Sequence, residues 1–266
     1  HADQYQLVCH SCGVRHTVPK VCPECQHAQI IHKCIGTKRI EAEITKLFKN
    51  VKIARFDGDN KKDDALHTQY QALYDGTIDI IIGTQIIAKG LDLPKLSVVG
   101  IIQADAGLTM PDFTSEERVF QLLSQTMGRV GRSNQMSTII VQTYQPDHIA
   151  ITTALRKEYK SFNQHSILVR RRALLPPIAF LMKLRCQYAS ETGAEQAAKK
   201  LYRMLQQYKV PELIITPPTP AFYEKVGGNF RWQIVIKSKS RSELKKLLPH
   251  IPPAKWQVDI DPQSLL

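Results

Sequence analysis

"IDIIIGTQIIAKGLDLP", residues 78–94, opens on a run of apolar β-branched side chains and breaks at Gly83 and Thr84. An apolar run without alternation reads as a strand buried on both faces, as strands of parallel sheets are. "LSVVGII" (96–102) has the same character, and "VKIARF" (51–56) and "MSTIIVQTY" (136–144) read as further strands. Between them lie stretches with helical spacing: "KRIEAEITKLFKN" (38–50), "KKDDALHTQYQALYDG" (61–76, closed by Gly76) and "SEERVFQLLSQTMGRV" (115–130, with Thr114 or Ser115 as cap). The alternation predicts an α/β domain over residues 34–146, with a parallel sheet covered on both faces.

In such sheets ligands sit beyond the carboxyl ends of the strands. Both "GTQIIAKG" and "QADAGLTMPDF" follow strands and fall on that edge. A glycine at a strand's end lets a phosphate approach the backbone, Thr84 can donate from hydroxyl and amide, and Asp92 can accept from a sugar hydroxyl. A plain βα turn with a capping threonine would use the same residues. "QTMGRVGR" (125–132) is more telling, because two glycines weaken a helix by about 1 kcal/mol each while Arg129 and Arg132 are kept in place. Guanidinium forks suit phosphate, and an arginine at a γ-phosphate stabilises phosphoryl transfer. A helix C-terminus also favours cations, but the second arginine and Gln125 favour the phosphate reading. No G-x-x-x-x-G-K-[ST] loop occurs, nor an Asp-Glu pair after a strand to hold magnesium. The chain therefore offers arginine fingers without a cradle for the nucleotide.

Residues 147–172 read as one long helix, which Pro176 and Pro177 forbid from continuing; 147–176 is taken as a linker. Beyond it the pattern predicts strands at 179–188, 212–216, 230–237 and 255–260 and helices at 191–208 and 240–248. That βαββαβ order over 177–266 is a split βαβ sandwich of the ferredoxin-like, ribosomal-protein-like type. The net charge of +12 lies wholly in the last 116 residues, with 20 Lys and Arg against 8 Asp and Glu after residue 150. A localised excess of this size marks a polyanion-binding face. Arg231, Lys237 and Lys239 are the expected DNA contacts, Gly227 and Gly228 a mobile loop, and "VRRR" (169–172) a further basic candidate. Trp232 alternates with Arg231, so one should face the core and the other solvent.

Residues 1–33 are poor in apolar periodicity and carry Cys9/Cys12 and Cys22/Cys25, two C-x-x-C pairs. Two such pairs complete a closed tetrahedral zinc site, structural rather than catalytic. Cys34 and Cys186 read as inert core thiols. The thiol usage fits a reducing, cytoplasmic setting, and no run is long enough to cross a membrane. The opening "HADQYQLVCHSCG" has neither an initiator Met nor a signal-peptide shape and reads as a chain cut from something longer.

"GTQIIAKGLDLP" resembles motif V of superfamily-two helicases, and "QTMGRVGR" resembles their motif VI. With the cysteine pairs, "RFDGD", "ADAGLTMPDFTSEERVFQLLSQ" and the late "GGNFRWQIVI" and "WQVDIDP", the whole chain resembles the C-terminal portion of the PriA family of primosomal replication-restart helicases. The resemblance implies an ATP-driven 3′-to-5′ DNA helicase that recognises stalled or repaired forks, working in the cytoplasm on the nucleoid. This chain would be its second RecA-like lobe, an inserted zinc segment and the terminal domain. By motif position Gln125, Arg129 and Arg132 face the nucleotide, Gly90 and Asp92 its sugar, and Thr84, Gln85 and Lys89 the DNA strand. ATP and magnesium would need the first lobe, so the 266 residues alone are expected to be inactive. Arg241 and Lys245 are implied contacts for the tail of single-stranded-DNA-binding protein, alongside forked or single-stranded DNA and other primosome proteins as partners. The family carries four C-x-x-C pairs nested about two zinc ions, which would give Cys9/Cys12 and Cys22/Cys25 to different ions. The bare spacing suggests one shared ion instead. Two other readings fit parts of the sequence: a non-enzymatic zinc-containing nucleic-acid-binding module, and a zinc-ribbon RNA-processing or translation factor. A pure binding module has no need of paired arginine fingers.

Overall fold

The computed structural model describes residues 6–8, 15–17, 21, 36–56, 70–84, 93–128, 138–208 and 213–266. The chain divides into two compact units. One holds residues 30–109 and 116–162; the other holds 1–29, 110–115 and 163–266. At the start of the chain β1 (Gln6–Val8) and β2 (Arg15–Thr17) pair antiparallel, with Gln6 opposite Thr17 and Val8 opposite Arg15.

The first unit is built from short parallel pairs. α1 (Thr37–Leu47) precedes β3 (Ile53–Phe56), which pairs in parallel with β4 (Ile80–Gly83). Ile40 and Ile44, four apart, give α1 its half-buried stripe, and Glu41 accepts from Arg55 Nε at 2.8 Å. Ala54, Phe56 and Leu73 form the buried centre, with Ile78, Ile81 and Leu93 around it. Gly76 does close the preceding helix: its φ of 67° is left-handed. Its N–H reaches Leu73 O, and Thr77 N–H reaches Ala72 O, satisfying the helix's last carbonyls.

β5 (Val98–Ile101) and β6 (Thr138–Val141) form the second parallel pair, with α2 (Ser115–Met127) between them in sequence. Val119, Phe120 and Leu123 of α2 pack against Ala150, Ile151, Ala154 and Phe162, and the rings of Phe120 and Phe162 stack at 4.2 Å. The other side of β5 and β6 is not covered as expected: Val98 is 56% and Ile140 60% exposed. The expected cap on α2 also differs, since the Thr114 hydroxyl donates to Asp112 Oδ2 and Ser115 is itself the first helical residue.

The single helix expected over 147–172 is two helices, α3 (Ile149–Leu155) and α4 (Tyr159–Ala173). His148 caps α3, its Nδ1 accepting from Ala150 N–H at 3.2 Å. Lys157 breaks the run by adopting φ 59°, while its N–H and that of Glu158 return to Ala154 O and Thr153 O. Leu174 (φ 48°) ends α4 in the same way. An L side chain in the left-handed region costs about 1–2 kcal/mol. Lys157 is exposed, so Lys157→Gly is expected to stabilise the protein by about 0.5–1 kcal/mol. A lowered denaturation midpoint for that variant would contradict this account of the break.

The second unit is dominated by an antiparallel sheet of β7 (Phe180–Tyr188), β8 (Ile214–Ile215), β9 (Thr219–Val226), β10 (Asn229–Ser238) and β11 (Trp256–Ile260). Its order is β11-β7-β10-β8, with β9 also paired to β10. α5 (Glu191–Leu205) and α6 (Arg241–Lys246) complete it, giving one strand more than the expected series. β9 lies where a loop was expected. Gly227 and Gly228, at φ 57° and 80°, are the two-residue turn of the β9–β10 hairpin, with Val226 opposite Asn229. The expectation of a mobile loop there is corrected, because two consecutive positive φ values are what a tight hairpin turn demands.

Strand alternation sorts the side chains. Met182, Leu184 and Cys186 of β7 align with Ile236, Ile234 and Trp232 of β10. All six are buried against Leu201 and Leu205 or Ala194 and Ala198 of α5, with Leu244, Leu247 and Ile251 closing one end. The alanines lie where Trp232 takes up room, so large meets small along the helix. Cys186 is the core thiol expected: its Sγ is 3.6 Å from Ala194 O, and burial pushes its pKa up to about 11.

Candidate functional site

α2 carries the one nucleotide-facing candidate among the described residues. Val119, Phe120 and Leu123 anchor one side of the helix, which leaves Gln121, Gln125 and Gly128 on a line exposed to solvent. Gln125 thus stands away from the core, and Gly128 N–H still bonds Ser124 O at 3.0 Å, so the helical path runs to the edge of the arginine pair. Arg129 and Arg132 lie outside the described residues, as do Gln85, Lys89, Gly90 and Asp92.

Thr84 is exposed directly after the carboxyl end of β4, and its N–H donates to Phe56 O at 3.3 Å. The backbone there continues the β3–β4 ladder, so the hydroxyl is what it offers to a ligand. At the carboxyl end of β5, Asp105 is buried and accepts from Tyr144 N–H at 3.3 Å, while Ala104 N–H bonds Gln142 O. Asp105 therefore fastens the ends of β5 and β6 together, a role that the motif reading missed and that only strand pairing reveals.

The expected row of cations on the terminal domain is broken up. Arg231 faces away from the core that holds Trp232, as alternation predicts, and its Nε donates to Gln187 Oε1 at 3.2 Å. Lys239 is exposed just after β10. Lys237 is withdrawn from the expected DNA-binding row: it is half-buried, and its ammonium donates to Ala173 O at 2.7 Å. Burial also lowers its pKa. A cation on the last carbonyls of α4 is the favourable end of the helix dipole. Arg241 pairs with Asp261 at 2.5 Å and lies over the Phe180 ring at 4.8 Å, whereas Lys245 is exposed on α6.

The basic run at 169–172 divides too. Arg170 donates to Pro176 O at 3.0 Å and to Phe113 O at 3.4 Å, with its guanidinium over the Phe113 ring. It is a fastening between α4 and residues 110–115, while Arg171 and Arg172 are exposed. A second fastening is Lys183, 7% exposed in the middle of β7. Its Nζ donates to Ser264 O and Leu266 O, and Asp112 accepts from the Ser264 hydroxyl and Leu265 N–H. Burial lowers the Lys183 pKa, against the opposing pull of Asp259. No pattern along the chain points to it, since a lysine in a strand reads as solvent-facing.

Cys9, Cys12, Cys22 and Cys25 lie outside the described residues. Among the described residues no group of three or more His, Cys, Asp or Glu is placed to hold a metal ion, and no helix is long and apolar enough to cross a membrane.

A parallel α/β unit whose exposed helix end leads into Gly-Arg-x-Gly-Arg, followed by an antiparallel α+β domain, defines the class. Residues 16–134 match the family described as helicase conserved C-terminal domain, and residues 171–263 match the primosomal protein N C-terminal domain. Over nearly its whole length the chain matches the C-terminal portion of replication restart proteins named PriA. It is 35% identical over 252 residues to replication restart protein PriA of Bacillus subtilis, covering 94% of this chain and 31% of that protein. The protein of the same name from Haemophilus influenzae is 31% identical over 274 residues, covering 100% of this chain and 38% of the relative. That of Borreliella burgdorferi is 34% identical over 248 residues, covering 93% and 37%. The chain thus spans about a third of the length of these curated relatives.

Proposed function

We propose that this chain supplies the second motor lobe and the terminal nucleic-acid-binding domain of an ATP-dependent 3′-to-5′ DNA helicase that acts at stalled or repaired forks to restart replication. The observation that carries the reading is the order of the two matched domains in one chain, helicase C-terminal and then primosomal C-terminal. The exposure of Gln125 and Thr84 is consistent with it. In this reading Gln125, Arg129 and Arg132 complete a nucleotide site whose cradle and magnesium carboxylates belong to another lobe. Gly90 and Asp92 approach the sugar; Thr84, Gln85 and Lys89 engage the translocating strand.

Arg231 and Lys239 serve the terminal domain's DNA contact. Lys245, with Arg241 if its bridge to Asp261 opens, serves the acidic tail of single-stranded-DNA-binding protein. The cysteine pairs Cys9/Cys12 and Cys22/Cys25 supply thiolates for structural zinc, which fixes the fold of a segment with little apolar core. The intact protein works in the cytoplasm, on the nucleoid, with other primosome proteins.

The purified 266-residue chain is expected to bind forked DNA in a salt-dependent manner and to hydrolyse no ATP. DNA-stimulated hydrolysis by that chain would overturn the division of labour between lobes; absence of DNA binding at low salt would overturn the nucleic-acid reading.

A further inference from the structure

The sheet of the terminal domain has two unlike faces. α5 and α6 both lie on the face of Trp232 and Leu184. On the other face the register sets Arg231 beside Gln187, Gln257 beside Arg185, and Asp259 beside Lys183. Its lower part is closed where Lys183 holds residues 264 and 266 and Lys237 holds Ala173. Toward the other end the face opens at Gln187 and Gln257, which are exposed, while Gln233, opposite Arg185 in the register, is buried.

Two arginines stand in that opening, each held by a glutamine. Arg231 Nε donates to Gln187 Oε1 at 3.2 Å, and Arg185 Nη2 donates to Gln257 Oε1 at 2.5 Å. Among the described residues neither has a carboxylate within ion-pair distance, unlike Arg55, Lys199, Arg241 and Lys246, which pair with acids. A neutral carboxamide fixes the side chain but leaves its charge uncancelled. Each guanidinium keeps further N–H donors to present outward. The two residues sit on adjacent strands one dipeptide step apart, which places their α-carbons about 8 Å from each other. Asp259, further down the same face of β11, is the acid nearest in the register, and it stands opposite the Lys183 ammonium.

We propose that this helix-free face binds the sugar-phosphate backbone of a DNA strand, with Arg185 and Arg231 as neighbouring phosphate contacts and Gln257 and Gln187 as positioning residues. It rests on the nucleic-acid reading above and adds Arg185 to it. A flat face with two preset forks suits a repeating phosphodiester, which presents successive phosphates without needing a pocket. An acidic peptide would instead need side-chain pockets to fix its register.

The test uses the whole 266-residue chain and a labelled oligothymidylate, titrated over a range of salt. The Arg185→Gln/Arg231→Gln variant is expected to bind about tenfold more weakly, with its salt slope reduced by about 0.7 for each phosphate no longer neutralised, about 1.4 in all. Arg→Lys at both positions should restore the slope. Gln187→Ala/Gln257→Ala keeps both charges and is expected to lower affinity with the slope unchanged, so it serves even where the first variant fails to fold. Unchanged affinity and slope in a folded arginine variant overturn the proposal, as does a glutamine variant that binds like the parent. Loss of binding to an acidic peptide with DNA binding intact also overturns it. Failure of the unsubstituted chain to bind the oligonucleotide sinks the nucleic-acid reading itself.

Discussion

Replacing Arg132 by alanine, in a parent protein that carries both motor lobes, is expected to lower DNA-stimulated ATP hydrolysis by about 10³- to 10⁵-fold, the range an arginine finger supplies. DNA affinity should stay where it was. In the proposed function the two effects separate, because a finger guanidinium would act on charge that develops at the γ-phosphate and not on the bound strand. The geometry leading to it is a helix anchored by Val119, Phe120 and Leu123, with Gln125 on the outward line. Anchoring of this kind limits the entropy lost when the following arginines engage a phosphate. Arg132→Lys should fail to rescue, since an ammonium lacks the planar fork. Unchanged hydrolysis in the alanine variant would refer the Gly-Arg pair to DNA binding, and a parallel fall in DNA affinity would do the same.

The second large effect is on stability. Leu184 is fully buried in β7, in register with Ile234 on one side and Val258 on the other. Truncating it leaves a cavity between two strands and the helices above, so Leu184→Ala is expected to cost about 2–5 kcal/mol. For a domain of this size the midpoint of thermal unfolding should fall by roughly 8 °C or more. Leu248→Ala is the control, because that side chain is 37% exposed and its loss should matter little. A Leu184 variant that melts no earlier than the control would mean that this cluster does not hold the domain together.

Both predictions rest on features of unequal legibility. β7, α5, β10 and β11 announce themselves because each pairs a strict period with a clear edge, such as Ser190 capping α5. β9 hid because Pro220 and the polar Glu224 and Lys225 interrupt its alternation, and its pairing to β10 slips between Phe230 and Trp232. The glycine pair was the signal that could have found it, as consecutive glycines between two β-prone runs favour a hairpin turn. The break between α3 and α4 was invisible for a different reason. Lys157 has no intrinsic preference for a left-handed φ, so only the surrounding hydrogen bonds select it.

Site reading failed where tertiary structure reassigned a charge. Lys237 and Lys239 look alike along the chain, yet one serves a helix end and the other is exposed. Arg185 is not legible in the sequence, because one arginine in a strand carries no motif; it gains meaning only from Gln257 across the sheet and Arg231 one strand away. Motif residues of the helicase unit were the reverse case. Spacing along the chain alone marks them, and most, Arg129 and Arg132 among them, lie outside the described residues.

The large-meets-small packing beneath Trp232 has an optical consequence. The sequence holds two tryptophans, Trp232 and Trp256, and both pack on the helix-covered side of one sheet. Indole emission excited at the red edge therefore reports on that domain alone. Rearrangements confined to the parallel unit would pass unseen at that wavelength, while ligands that reach the neighbouring strands would not. The chain carries its own fluorescent label, already placed on one half.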